Sequence, residues 1–292
     1  MTFVDGPVTV RVPATSANLG PGFDSLGMAL TWYDEVTAEV TASGLTFDIE
    51  GEGADEVPRD ESHLLHRAMD AAFDLLGERP DGLHLTCRNT IPHGRGLGSS
   101  AAAIAAGVLL ARSLVVGGVD RMDDRAMFGL ATDLEGHPDN VAPALFGGFT
   151  ISWIEGAAAE TLRLDVDVDV TVFVPPEAVA TSVARGLLPA TVPHADAAFT
   201  AGRAALLVAA LTTAPERLIS ATEDRLHQSY RATAMPDSWK LVRQLRVEGV
   251  PAVISGAGPT VLAFAHGLGE WTPDGWVRRE LRVSPRGADL AS

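Results

Sequence analysis

An α+β fold in two lobes is what the chain predicts, on three observations. Segments with the two-residue period of half-buried strands alternate with segments of helical period. The same mixture starts afresh beyond Gly156, which suggests a division into residues 1–155 and 156–292. A loop of alternating glycines then leads from a strand straight into a long alanine-rich helix.

The elements follow in order. Residues 8–12 and 35–41 alternate as strands do. Residues 62–76 place Leu65, Met69, Ala72, Phe73 and Leu76 on one helical face, with Ser62 as the expected cap and Gly77 as the stop. A strand is expected at 83–87, a long helix at 99–116 ended by Gly117-Gly118, and a second helix at 121–134. Gly147-Gly148 precedes an apolar strand at 149–154. The acidic alternation at 165–170 reads as a loop feeding a strand that runs to Val174. Helices at 195–211 and 238–247 and strands at 252–255, 261–265 and 277–283 complete the second part.

The chain has 292 residues, a net charge of −16, a single lysine (Lys240) and a single cysteine (Cys87). An acidic chain repels nucleic acid and anionic lipid, so neither is an expected partner. With one lysine, in a polar helical stretch, there is no P-loop of the G-x-x-x-x-G-K-[ST] kind and no Schiff-base lysine. A lone cysteine forms no internal disulfide, and the first twenty residues lack the basic start and apolar core of a signal peptide. No run of 18 apolar residues occurs, so the expected location is cytoplasmic.

Four segments carry chemistry. In Pro92-His93-Gly94-Arg95-Gly96-Leu97-Gly98-Ser99-Ser100-Ala101-Ala102, glycines let backbone amides approach a ligand, and the first turn of the following helix adds its free N–H groups. That combination binds phosphate, although a glycine-rich turn with a serine cap has the same pattern. It is not a Rossmann fingerprint, because a serine stands where the last glycine belongs. Glu135-Gly136-His137-Pro138-Asp139-Asn140 crowds two acids, an imidazole and an amide into what reads as a stiffened turn. Glu135 there can supply a carboxylate to Mg²⁺. Asn18 and Asp24 stand on the small-residue loop Pro13-Ala14-Thr15-Ser16-Ala17-Asn18-Leu19-Gly20-Pro21-Gly22-Phe23-Asp24. The fourth segment, Ser255-Gly256-Ala257-Gly258-Pro259-Thr260, reads as a hairpin turn.

In this order and at these separations, the four segments resemble the GHMP kinases, the superfamily that includes galactokinase, homoserine kinase and mevalonate kinase. The P-x-x-x-G-L-G-S-S-A-A loop matches the superfamily's phosphate-binding motif, and S-G-A-G-P-T resembles its third motif. The P-A-T-S-A-N-L-G-P-G-F-D and G-H-P-D-N-V-A-P-A-L-F-G-G segments resemble the homoserine kinase family within it. The resemblance implies an N-terminal ATP-binding lobe with a left-handed βαβ unit and a C-terminal ferredoxin-like lobe. It also implies an ATP- and Mg²⁺-dependent phosphotransferase that makes O-phospho-L-homoserine from L-homoserine in threonine biosynthesis, and a homodimer.

Carried onto this chain, the resemblance makes residues 92–102 the phosphate cradle, with Ser99, Ser100 and Glu135 as the catalytic group and Ser100 and Glu135 as metal ligands. Arg185 and Arg231 stand where the family binds a carboxylate; taken alone, either reads as an exposed helix charge. Guanidinium forks suit carboxylates because two parallel hydrogen bonds form at once. Asp24 can accept from the substrate ammonium, while Asn18, His137 and Asn140 orient the rest. His63 replaces the family's adenine-contacting Asn, and the segment after Ala265 is short for the second lobe. Two other readings stay open: a kinase of the same superfamily acting on a different alcohol, and a non-catalytic ligand-binding relative.

Overall fold

The structure, a computed structural model, describes residues 2–291. The first strands are β1 (Val8–Ala17), β2 (Leu26–Thr41), β3 (Gly44–Gly51), β4 (Gly82–Asn89), β5 (Phe149–Glu155) and β6 (Ala158–Leu164). The later ones are β7 (Asp169–Val174), β8 (Ala252–Ile254), β9 (Val261–Ala263), β10 (Val277–Arg282) and β11 (Asp289–Leu290). The helices of the first half are α1 (Leu64–Leu76), α2 (Ser99–Leu114), α3 (Gly118–Arg121), α4 (Asp124–Glu135) and α5 (Pro138–Phe146). Those of the second half are α6 (Thr181–Gly186), α7 (His194–Thr212), α8 (Leu218–Ala221), α9 (Gln228–Arg231) and α10 (Pro236–Val247).

Two sheets organise these elements, as the two-lobed α+β prediction requires. The first has the order β11-β1-β2-β4-β3, with β5 pairing β2 and β6 pairing β5. β3 and β4 run parallel with α1 as their crossover, which is the βαβ unit. The second sheet has the order β10-β7-β9-β8 and is antiparallel throughout. That order is ferredoxin-like, with β9 between β7 and β8. The helix that would follow β9 is reduced to one 3₁₀ turn at Gly269–Trp271, which is why the sequence is short there.

The core of the first lobe is α2, pressed against α1 and β1. Its alanines and Gly107 allow this: a Cβ on Gly107 would lie 2.7 Å from the carbonyl oxygen of Leu65. Phe73, Met69 and Leu65 of α1 fill the seam, each 1% exposed or less. Burial of such a side chain contributes ~1.5–3 kcal/mol.

Several expected boundaries move. Gly156 is the turn of the β5–β6 hairpin, so the sheets change over at 165–168 rather than after 155, and the last residues return to the first sheet. α1 is capped by His63, whose ring accepts from Leu65 N–H, and not by Ser62. The expected turn at 136–140 is a helix corner: Gly136 closes α4 in the left-handed region, and Pro138 opens α5 at its first position. Proline is suited to that position because its missing N–H is not needed there.

Candidate active site

Four distant segments are hydrogen-bonded into one floor. Thr15 N–H on β1 donates to Leu97 O of the glycine loop at 3.0 Å. The turn at 255–260 closes on both: Gly256 N–H donates to Ala17 O at 3.0 Å, and the Ser255 hydroxyl donates to Gly96 O at 2.6 Å. The Thr15 hydroxyl reaches Asn140 Oδ1 at 2.8 Å, tying in the first turn of α5. Gly96 and Gly98 both hold positive φ, 76° and 69°. A Cβ would lie 2.3 Å from Ser255 O at the first and 1.9 Å from Thr15 Oγ1 at the second. The loop therefore requires glycine on steric grounds, and it delivers the chain to the open N-terminus of α2.

Gly98 occupies the cap position of α2, so neither serine hydroxyl is used as a cap. Ser100 Oγ instead donates to Glu135 Oε2 at 2.7 Å, across from the last residue of α4. Burial pushes the Glu135 carboxyl above its ordinary range, while the Ser100 hydrogen bond pulls the other way. A carboxylate and a hydroxyl side by side at a helix N-terminus are hard oxygen donors of the kind Mg²⁺ takes together with phosphate oxygens. Among the described residues no cluster of three or more His, Cys, Asp or Glu could hold a metal by itself. The donor set fits Mg²⁺ shared with a nucleotide.

Beside this pair opens a cavity of about 130 Å³, lined by Asn18, Glu135, His137, Asp139, Asn140, Thr181, Arg185 and Arg231 as well as the glycine loop. Asp139 is buried and receives His137 Nδ1 at 2.7 Å, and that bond raises the His137 pKa above its usual value. Arg185, in the last turn of α6, forks onto Asp24: Nη2 to Oδ1 at 2.7 Å and Nη1 to Oδ2 at 3.1 Å. Asp24 and Asn18 both sit at positive φ, 55° and 66°, and Asn18 Oδ1 accepts from Asp24 N–H at 2.9 Å.

Arg231 is not the exposed helix charge that its position on α9 allows; it is 1% exposed. Its Nη1 meets His227 Nδ1 at 3.3 Å and Gly256 O at 3.4 Å, and its Nε has no partner among the described residues. Burial, and then the charge of Arg185, pull the Arg231 pKa down. The Phe23 ring lies 5.6 Å from the Arg185 guanidinium carbon and 5.3 Å from that of Arg231.

On the other side of Ser99 and Ser100 lies a second cavity of about 330 Å³. Its walls include Val12, Val36, Val57, Pro58, Leu65 and Ala102, with Asp34, His63 and His93 as polar points. His63 stacks on Phe47 with ring centroids 4.9 Å apart. Its Nδ1 accepts from Leu65 N–H at 3.2 Å, so the proton sits on Nε2, which is buried without a partner among the described residues. Burial lowers the His63 pKa and keeps the ring neutral. A neutral, unpartnered N–H donor in an apolar slot matches the ring nitrogens of a nucleobase. Asp34 Oδ1 accepts from Thr90 N–H at 2.5 Å and Ile91 N–H at 2.9 Å, and burial pushes its pKa up to about 6.

Within the expected cradle, His93, Gly94, Gly96, Gly98, Ser99, Ser100 and Ala102 face one cavity or the other. Leu97 and Ala101 are packed in the core, and Pro92 lines neither cavity. Arg95 turns away, its guanidinium bound to the carbonyls of His93 and Pro176. Thr15, Phe23, Asp34 and His227 escaped the sequence analysis. Phe23 stands inside the very segment that carries Asp24, and His227 lies four residues before Arg231. Asp34 shows only as one polar position in a strand.

Comparison with known proteins leads in the same direction. The family of GHMP kinases N terminal domains matches residues 63–148. A homoserine kinase of Streptomyces avermitilis is 58% identical over 290 residues, covering 97% of this chain and 95% of that one. A homoserine kinase of Streptomyces coelicolor is 62% identical over 260 residues, 88% and 84% of the two chains. The crystal structure of homoserine kinase from Cytophaga hutchinsonii, 24% identical, covers 100% of this chain and 99% of its own with a TM-score of 0.84.

Proposed function

The chain belongs to the homoserine kinases of the GHMP superfamily and transfers a phosphoryl group from ATP to the homoserine hydroxyl, a step of threonine biosynthesis; from that premise we propose how its residues divide the work. The base of ATP lies in the apolar cavity, where His63 Nε2–H donates to a ring nitrogen. The phosphates run along residues 94–100 toward the N-terminus of α2. Ser100 and Glu135 would hold Mg²⁺, which neutralises charge on the phosphates when bound. Glu135 then regains at the site the charge that burial disfavours.

The acceptor lies in the polar cavity. Arg185 and Arg231 bind its carboxylate and Asp24 its ammonium, while His137, Asn140 and Asn18 orient the arm that carries the hydroxyl. Phosphoryl transfer needs mainly positioning and charge neutralisation, and the linings of the two cavities would supply both without a lysine. What supports the division is the shared wall: Ser99 and Ser100 line both cavities, so a hydroxyl in one and a γ-phosphate in the other meet at the same two residues.

The same reading gives the protein homoserine and ATP as partners and a cytoplasmic location. Its net charge of −16 opposes binding to nucleic acid or anionic membrane. α7 has the length and apolar composition to cross a bilayer, yet its Asp196 pairs with Arg225 at 3.2 Å and its Leu207 and Leu211 are buried in the protein.

The test is ADP release from Mg·ATP with L-homoserine, L-serine, L-threonine, mevalonate and galactose as acceptors. Release that depends on homoserine is expected. Turnover of another alcohol in its place would keep the superfamily and overturn the carboxylate pocket.

A further inference from the structure

We propose that Asp24 and Arg185 form a self-paired clamp that opens only for an acceptor carrying both an ammonium and a carboxylate, so that acceptor selectivity comes from exchanging this internal ion pair. The inference rests on the assignment of the polar cavity to the acceptor.

The two groups proposed to bind opposite ends of the substrate are bound to each other. Both hydrogen bonds of the fork are made, and the two side chains come from segments 161 residues apart. Each side chain is about a third exposed, 36% for Arg185 and 35% for Asp24, so both remain within reach of an entering ligand. Asp24 is fixed on its side by the Asn18 bond to its N–H, in a left-handed conformation. Arg231, deeper in the cavity, has no carboxylate partner at hydrogen-bonding distance among the described residues. The resting site therefore holds one satisfied pair and one buried cation waiting for an anion.

A zwitterion can trade places with that pair. Its ammonium takes the guanidinium's position at Asp24, and its carboxylate takes the Asp24 position at Arg185 while reaching Arg231. Every charge ends up paired. A ligand with only the carboxylate must share Arg185 with Asp24, anion beside anion. A ligand with only the ammonium must strip Arg185 from Asp24 and leave two guanidiniums facing one another. Selectivity then arises from groups left unpaired by the wrong ligand, as well as from contacts to the right one.

A latent activity follows. Removing one half of the clamp releases the other half for a ligand with a single charge. Asp24→Asn frees Arg185 for γ-hydroxybutyrate, which is homoserine without its amine. Arg185→Gln frees Asp24 for 3-aminopropanol, which is homoserine without its carboxylate. The transfer is otherwise the same: the terminal hydroxyl oxygen bonds to the γ-phosphorus, the bond to the β-phosphate oxygen breaks, ADP leaves and the hydroxyl proton goes to water.

The experiment is steady-state kinetics of the whole chain and both variants on homoserine, γ-hydroxybutyrate and 3-aminopropanol, with the melting temperature and the KM for ATP as checks on folding. Asparagine tolerates the positive φ at residue 24, so the first variant keeps the local backbone. Each variant should lose about tenfold or more in kcat/KM for homoserine, the loss of a charged contact. Each should also exceed the unsubstituted protein on its own truncated acceptor by roughly 2- to 5-fold, the size of a partly exposed ion pair. If homoserine activity falls and neither truncated acceptor gains, the two residues are independent contacts and the clamp is overturned while the site assignment stands. If homoserine kinetics do not move in either variant, the site assignment falls and takes the clamp with it. Either variant decides the question alone should the other fail to fold.

Discussion

The two cavities that meet at Ser99 and Ser100 are built on opposite principles. The larger, about 330 Å³, is apolar, and burial keeps its titratable side chains toward their neutral forms: His63 and His93 are shifted down, and the Cys87 thiol is pushed up to about 12. The smaller, about 130 Å³, gathers Glu135, His137, Asp139, Arg185 and Arg231. A nucleobase has no charge and is selected by fit and a few hydrogen bonds; an amino acid is nearly all charge and is selected by pairing. Under the proposed assignment polarity is partitioned by substrate, and only the serine wall has to serve both sides.

The sharpest way to break this partition is at the wall. Glu135→Ala should lower kcat by about 10²–10³-fold, the scale of losing an electrostatic contact to a transferring phosphoryl group. Its melting temperature should stay close to that of the unsubstituted chain, since burial already disfavours that carboxylate. Full turnover in a Mg²⁺-dependent assay would remove Glu135 from the metal site. The next effect belongs to the charged cavity. Arg231→Ala should raise the homoserine KM by about 10- to 100-fold, as expected for truncating one member of a buried charge pair. The KM for ATP should barely change, and an unmoved homoserine KM would take Arg231 out of the acceptor site. The smallest effect belongs to the neutral cavity. His63→Ala should raise the KM for ATP about 3- to 10-fold, the worth of one hydrogen bond plus its packing, and leave the homoserine KM alone. Equal changes in both constants would mean that His63 acts through the fold of α1, which it caps.

What the sequence made legible was local. Helices α2, α7 and α10 and the strands of the second sheet show in apolar composition and flanking turn residues because each carries its signal within one segment. The glycine loop shows because close backbone approach leaves a chemical trace, the glycine itself. The α5 corner was hidden by its own chemistry: Pro138, Asp139 and Asn140 look like a turn, yet they are what a helix start uses. The four-residue helix α9 is too short for any period, so the burial of Arg231 had no sign in the sequence. The Asp24–Arg185 pair and the contact of His227 Nε2 with Gly20 O at 2.6 Å join residues on different lobes. Such partners are set by how the two sheets pack, which no window along the chain contains.

The strand β1, which ends in the floor of the site, is bordered on one side by β11, with Val10 opposite Leu290 and Arg11 opposite Asp289. Just before β11, Gly287 lies so close to α5 that a Cβ there would stand 2.2 Å from the Leu145 backbone, and Ala288 N–H donates to Ala144 O at 2.7 Å. The first strand and the helix of the α5 corner are thus both closed by residues 287–290, which follow the second sheet in the sequence. Loop closure over nearly the whole chain must precede that contact, and its entropy is offset only once the second lobe has formed. The first sheet therefore gains its border strand only from chain that has already passed through the second lobe, so completion of the two lobes is coupled.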